Sequence, residues 1–112
     1  MPRRYVPQHG DLVWLHFNPQ AGHEQAGRRP AIVLSPREYN EKVGLALFCP
    51  VTNQVKEYPF EVVLPKGLKA TGAILSDQLK SLDWKEHKIK RICKAPQVVI
   101  DEVIGKVTLL LS

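Results

Sequence analysis

The sequence has no long apolar run. Nothing in its 112 residues approaches the ~20 consecutive apolar residues that a membrane-spanning helix needs, so no such helix is expected. Cysteine is scarce. Cys49 and Cys93 lie far apart, outside any C-x-x-C spacing, and are expected to be reduced, buried thiols of a cytosolic protein. The four histidines, His9, His16, His23 and His87, lack a partner four residues away and a nearby cysteine, so no zinc site is expected. There is no repeat, linker or low-complexity tract, and one domain spanning 1–112 is expected. The chain is too short for a multidomain enzyme or a TIM barrel. Its first residues, Met1 to Pro7, include Arg3 and Arg4 but no apolar stretch behind them, so they do not read as a signal peptide.

What is present is globular. Hydrophobic residues make up 44 % and charged residues 24 %, a composition that can fold without a metal or disulfide. Sixteen Lys and Arg against eleven Asp and Glu leave a formal charge of +5. That balance permits a polyanionic partner without demanding one.

Short apolar runs separated by Pro and Gly predict strands over 11–17, 31–35, 45–51, 60–64, 73–79 and, half polar, 88–94. The stretch 36–42 predicts one short helical turn. From Pro96 the period changes. Val99, Val103, Val107, Leu110 and Leu111 recur on one helical face, with Asp101 and Glu102 in the first half. Six strands and one closing helix predict a mainly β (α+β) fold, a small barrel of antiparallel strands with a C-terminal helix.

The connection 18–29 (NPQAGHEQAGRR) is longer than the two to about five residues a hairpin usually needs, and long loops are often functional. Glu24 can accept a proton and Arg29 can clamp a phosphate, which together suit phosphodiester cleavage. On spacing alone the same two residues read rather as a surface ion pair that steadies the loop. His23 is a proton donor near neutral pH or an exposed loop histidine. Thr52-Asn53-Gln54 is a ligand-facing strand end or a turn signal. Asp77-Gln78 lies inside an apolar run, where a carboxylate is either part of a site or on a solvent-facing edge. Lys85, Lys88, Lys90, Arg91 and Lys94 form a basic stripe that reads as a solvated face or a weak nucleic-acid patch. Trp14 and Trp84 read as core or interface anchors.

The segments GDLVW (10–14) and NPQAGHEQAGRRPA (18–31) resemble the N-terminal signature of the MazF/PemK/Kid toxin family. VLSP (33–36), Tyr39-Asn40, CPVT (49–52), YPFEV (58–62), Gly72-Ala73 and Asp77-Gln78 extend the resemblance over nearly the whole chain. It implies an SH3-like barrel that forms a homodimer. It also implies a cytoplasmic, ribosome-independent endoribonuclease that cuts single-stranded mRNA without metal or other cofactor, leaving a 2′,3′-cyclic phosphate and a 5′-hydroxyl. The implied partner is a cognate antitoxin protein, with DNA met only indirectly, through the toxin–antitoxin complex. Carried onto this chain, the resemblance makes Glu24, Arg29 and Thr52 catalytic and His23 and Asp77 auxiliary. Gln25, Arg28, Lys56, Gln78 and Lys80 become candidate RNA contacts. The Kid-type arginine is replaced by Leu75, which favours the MazF-type arrangement. A gyrase poison on the same barrel, or an inactive RNA-binding module, are the competing readings.

Overall fold

The computed structural model describes residues 4–17 and 27–112. Its elements are β1 (Asp11–Phe17), β2 (Gly27–Val33), α1 (Arg37–Val43), β3 (Leu45–Thr52), β4 (Glu61–Val63), β5 (Ala73–Leu75), β6 (Lys80–Asp83), β7 (Lys90–Lys94) and α2 (Gln97–Leu111). Every strand pairing is antiparallel. The strands run β4-β5-β3-β2-β1-β7, with β6 also on β3, so the sheet is barrel-like but not closed.

The apolar runs bury both faces of this sheet, because alternate residues of a strand point to opposite sides. On one face Leu12, Ile32, Cys49, Val51 and Ile74 pack under α2 through Val99, Ile100, Val103 and Val107. On the other, Val13, Leu15, Ala31, Val33, Phe48 and Trp84 form a second cluster. The helical period predicted Val99, Val103 and Val107 correctly. Leu110 and Leu111 are 50 % and 77 % exposed, because α2 runs past the end of the core it covers.

Two boundaries depart from the sequence reading. Strand β2 begins at Gly27 rather than Ala31, so Arg28 and Arg29 are strand residues rather than loop residues. Pro30 masked this. It pairs with Trp14 of β1, whereas the ladder to β3 starts only at Ala31. A proline is tolerated where a strand has a neighbour on one side alone. The run 73–79 is likewise not one strand. β5 stops at Leu75, and the Gln78 N–H donates to the Leu75 carbonyl (3.1 Å) in a turn before β6, giving seven strands instead of six. Asp77 and Gln78 are exposed in that turn, which removes the desolvation cost of a carboxylate in an apolar run.

One buried polar residue ties the layers together. Asn40, fully buried in α1, donates through its amide to the Pro7 carbonyl (2.8 Å) and the Ser35 carbonyl (3.1 Å). Its side-chain oxygen accepts from the Ser35 hydroxyl (2.5 Å), and its backbone carbonyl accepts from Trp84 Nε1 (3.0 Å). The amide thus joins the N-terminal arm to the turn before α1, and the same residue's backbone reaches Trp84. Asn40→Ala would orphan buried partners. It is expected to lower unfolding free energy by about 2–4 kcal/mol, read as a fall in the urea midpoint at unchanged slope.

Candidate functional site

Strand β2 carries Arg28 and Arg29 to the end of the β1–β2 ladder, opposite His16 and Leu15. Arg28 stacks across the strands on Trp14, its guanidinium carbon 4.3 Å from the ring centroid. This is a cation–π contact that fixes the charge without neutralising it. Trp14 is therefore neither fully core nor free for stacking: it is the platform for Arg28. Both arginines border an open trough of about 1020 Å³.

Thr52 reaches this trough from the last position of β3. Its hydroxyl oxygen accepts the Gln54 N–H (3.1 Å), turning the chain so that Asn53 and Gln54 also border the trough. Backbone contact sets its position. Gly72 has φ 116°, and a Cβ added there would lie 2.2 Å from the Thr52 carbonyl oxygen. Only glycine permits both that conformation and that approach. Gln78 enters from the turn after β5 and Lys80 from β6, where it pairs with Phe48.

The trough thus gathers Arg28, Arg29, Thr52, Gln78 and Lys80, all named from the sequence. It also gathers Lys69, which sequence reasoning missed because nothing separates it from other exposed lysines. Leu75 forms an apolar part of the wall. Lys56 and Asp77 do not border the trough. The Lys56 backbone N–H donates to both carboxylate oxygens of the buried Glu61 (3.0 and 3.1 Å), so that segment is held to β4 instead. Glu24, His23 and Gln25 lie outside the described residues; their segment joins Phe17 to Gly27, the last pair of the β1–β2 ladder.

Among the described residues, four cations (Arg28, Arg29, Lys69 and Lys80) and no carboxylate border the trough. With Thr52, Asn53 and Gln78 they supply charge and hydrogen bonds suited to a polyanion whose bases also need polar contacts. No group of three or more His, Cys, Asp or Glu able to hold a metal ion occurs among the described residues.

Next to Pro50 in the wall is Cys49, fully buried in β3. Burial, aided by the negative charge of Asp77, pushes its thiol up to about 12. Below the unfolded thiol's value of 9.0 this contribution to stability is complete, and it is lost as pH rises through about 12. Cys93 is half-buried. At about pH 8, iodoacetamide is therefore expected to alkylate Cys93 first and to reach Cys49 only on unfolding, followed by peptide mass spectrometry. Gly72→Ala is expected to cost about 1–3 kcal/mol in thermal or urea unfolding. It should also impair any activity that depends on Thr52 more than Gly67→Ala does, because Gly67, although left-handed too, has open space around it.

Comparison with known proteins points the same way. The model of the PemK-like, MazF-like toxin of type II toxin–antitoxin systems matches residues 8–111. An endoribonuclease toxin, MazF, of Escherichia coli (strain K12) is 55 % identical over 85 residues, covering 76 % of each chain. An Escherichia coli endoribonuclease, PemK, is 33 % identical over 121 residues, covering 100 % of this chain and 91 % of that one. The crystal structure of MazE–MazF (Form-II) from Deinococcus radiodurans superposes with a TM-score of 0.92 at 54 % identity, over 96 % of this chain and 97 % of that one.

Proposed function

The chain belongs to the PemK-like, MazF-like toxin family of type II toxin–antitoxin systems, and from that premise we propose that it is an endoribonuclease cutting single-stranded mRNA at short sequences. The observation that carries the reading is the trough, which four cations and no carboxylate of the described residues border together with Thr52.

The nucleophile is the RNA's own 2′-hydroxyl. Glu24 takes its proton, the 2′-oxygen forms a bond to the adjacent phosphorus, and the bond from phosphorus to the 5′-oxygen breaks. The products are a 2′,3′-cyclic phosphate and a 5′-hydroxyl, the leaving oxygen taking its proton from His23 or water. Arg29 stabilises the charge that grows on the phosphoryl oxygens. Its contribution is electrostatic, a guanidinium fork placed against the phosphoryl oxygens. Thr52 positions the phosphate. Arg28, Gln78 and Lys80 contact the strand on either side, with Gln25 assigned to the same task. The step needs no metal, since base, cation and nucleophile are all supplied by chain and substrate.

The MazE–MazF structure from Deinococcus radiodurans contains a toxin with its antitoxin. A cognate antitoxin that covers the trough is the matching proposal here, with a homodimer as the working form and the cytoplasm as its location. No helix among the described residues is long and apolar enough to cross a membrane.

Purified protein is expected to cut long single-stranded RNA in excess EDTA and to leave 5′ ends that a kinase labels without phosphatase treatment. Absence of cleavage, or cleavage only after a divalent ion is restored, would overturn the proposal. Arg29→Ala is expected to lower kcat/KM by about 10²–10³, the usual cost of removing one donor to a developing oxyanion. His16→Ala should cost far less, because His16 Nδ1 is engaged with the Lys88 carbonyl rather than with the trough.

A further inference from the structure

A second, smaller concavity of about 210 Å³ is bordered by Arg4, Tyr5, Trp84, Lys85, Lys88 and Ile89. We infer that it is a second binding site for the RNA strand, holding phosphates of nucleotides that flank the cut; this rests on the nuclease reading above.

Position is the first argument. Lys80 and Leu82, alternate residues of β6, border the catalytic trough, and Trp84, next in that alternation, borders the second concavity. A strand leaving the trough along β6 therefore arrives there. The charges are the second. Arg4, Lys85 and Lys88 are exposed, and none of them forms an ion pair among the described residues. Lys85 is held with its ammonium 5.3 Å from the Trp84 ring centroid, which fixes its place without neutralising it.

The walls are built rather than accidental. The Tyr5 hydroxyl donates to the buried Asp11 carboxylate, and Asn40 grips Pro7 and Trp84. Lys88 sits in the left-handed region at φ 47°, a costly conformation for lysine. The turn enforces it: the Ile89 N–H donates to the Trp84 carbonyl (3.2 Å), the Lys88 N–H to the Lys85 carbonyl (3.1 Å) and His16 Nδ1–H to the Lys88 carbonyl (3.1 Å). Trp84 is 2 % exposed and the Tyr5 hydroxyl is engaged, so neither offers a free face for stacking bases. What the site presents is cations, and its contact is with phosphates, without sequence preference.

The test uses two RNAs containing the same cleavage sequence, taken from 5′-end mapping of cut cellular RNA: one trimmed close to the cut, one with long single-stranded flanks. Wild type is expected to cut the long RNA with higher kcat/KM. The double variant Lys85→Gln, Lys88→Asn keeps the stem on Trp84 and a residue tolerant of the left-handed turn. It is expected to cut the short RNA as wild type does and to lose roughly tenfold on the long one. Its plot of log(kcat/KM) against log salt should be less steep by about 1.4, or about 0.7 for each lost single-strand phosphate contact. Equal losses on both RNAs, or no loss on either, would overturn the second site, as would an effect confined to inhibition by an acidic antitoxin peptide. Wild type cutting neither RNA would instead overturn the nuclease reading on which the site rests.

Discussion

Strand β3 has two edges and three partners. One edge pairs with β2 through Phe48, Cys49 and Pro50. The other is divided, with β6 taking Leu45 to Phe48 and β5 taking Val51 and Thr52. The division falls at Cys49–Pro50, where a residue without an N–H leaves no ladder donor unpaired. The rest follows from this hand-over. Both short strands run antiparallel to β3, but more residues lie between them than an unbroken ladder needs, so the segment 76–79 leaves the sheet as a turn. The turn between β5 and β6 then projects Gln78 beside the end of β3, and β6 brings Lys80 to the same place. A single uninterrupted partner would have left Thr52 at the rim of a flat surface with no opposing wall.

Among the described residues, the trough gathers cations without a carboxylate. In an open, water-filled concavity each cation contributes modestly, since a pair of charges a few Å apart interacts weakly at high dielectric. A carboxylate ion-paired to one of these four cations would satisfy it locally and weaken its field in the trough. Two of the described carboxylates are engaged by backbone instead: Asp83 accepts the Lys85 and Glu86 N–H groups, Glu61 the Lys56 N–H. Arg28 is fixed by Trp14 instead of by an acid, and the aromatic face costs it little of its electrostatic reach.

The residue types at the site were legible in the sequence, but their placement less so. Arg28, Arg29, Thr52, Gln78 and Lys80 were all named before any geometry: residue chemistry singled out Arg29 and the segments 52–54 and 77–78, and the family resemblance gave the roles and added Arg28 and Lys80. That Arg28 and Arg29 stand on a strand was hidden by Pro30, whose local preference reads as a boundary until one knows that β2 has a single neighbour there. The break after Leu75 was hidden because an apolar run carries no mark of where its partner strand ends. Two decisive residues had no local signature of their role. Asn40 looks like any polar residue of a short helix, and its value comes from a carbonyl 33 residues away and an indole N–H 44 residues away. Gly72 looks like a turn glycine, and its necessity comes from the Thr52 carbonyl. Long-range contact is what a local reading cannot weigh.

Asn40 also bears on why one small domain can carry two concavities. A pocket made from a chain terminus and a turn is normally too loose to hold charges in register, since termini fray unless they are tied down. Here the terminus is tied twice, by Asn40 at Pro7 and by Asp11 at Tyr5, with Arg91 reaching the same carboxylate from β7 (3.5 Å). The turn is tied through Trp84 to the same asparagine. Asn40, through its side-chain amide at Pro7 and its backbone carbonyl at Trp84, therefore links the arm that carries Arg4 to the turn that carries Lys85 and Lys88. Loss of the side-chain amide would free the arm side of the second concavity, leaving the backbone bond to Trp84. The larger trough would feel it only through β6, because Arg28, Arg29 and Thr52 are fixed by the β1–β2 ladder, Trp14 and Gly72, none of which Asn40's hydrogen bonds touch.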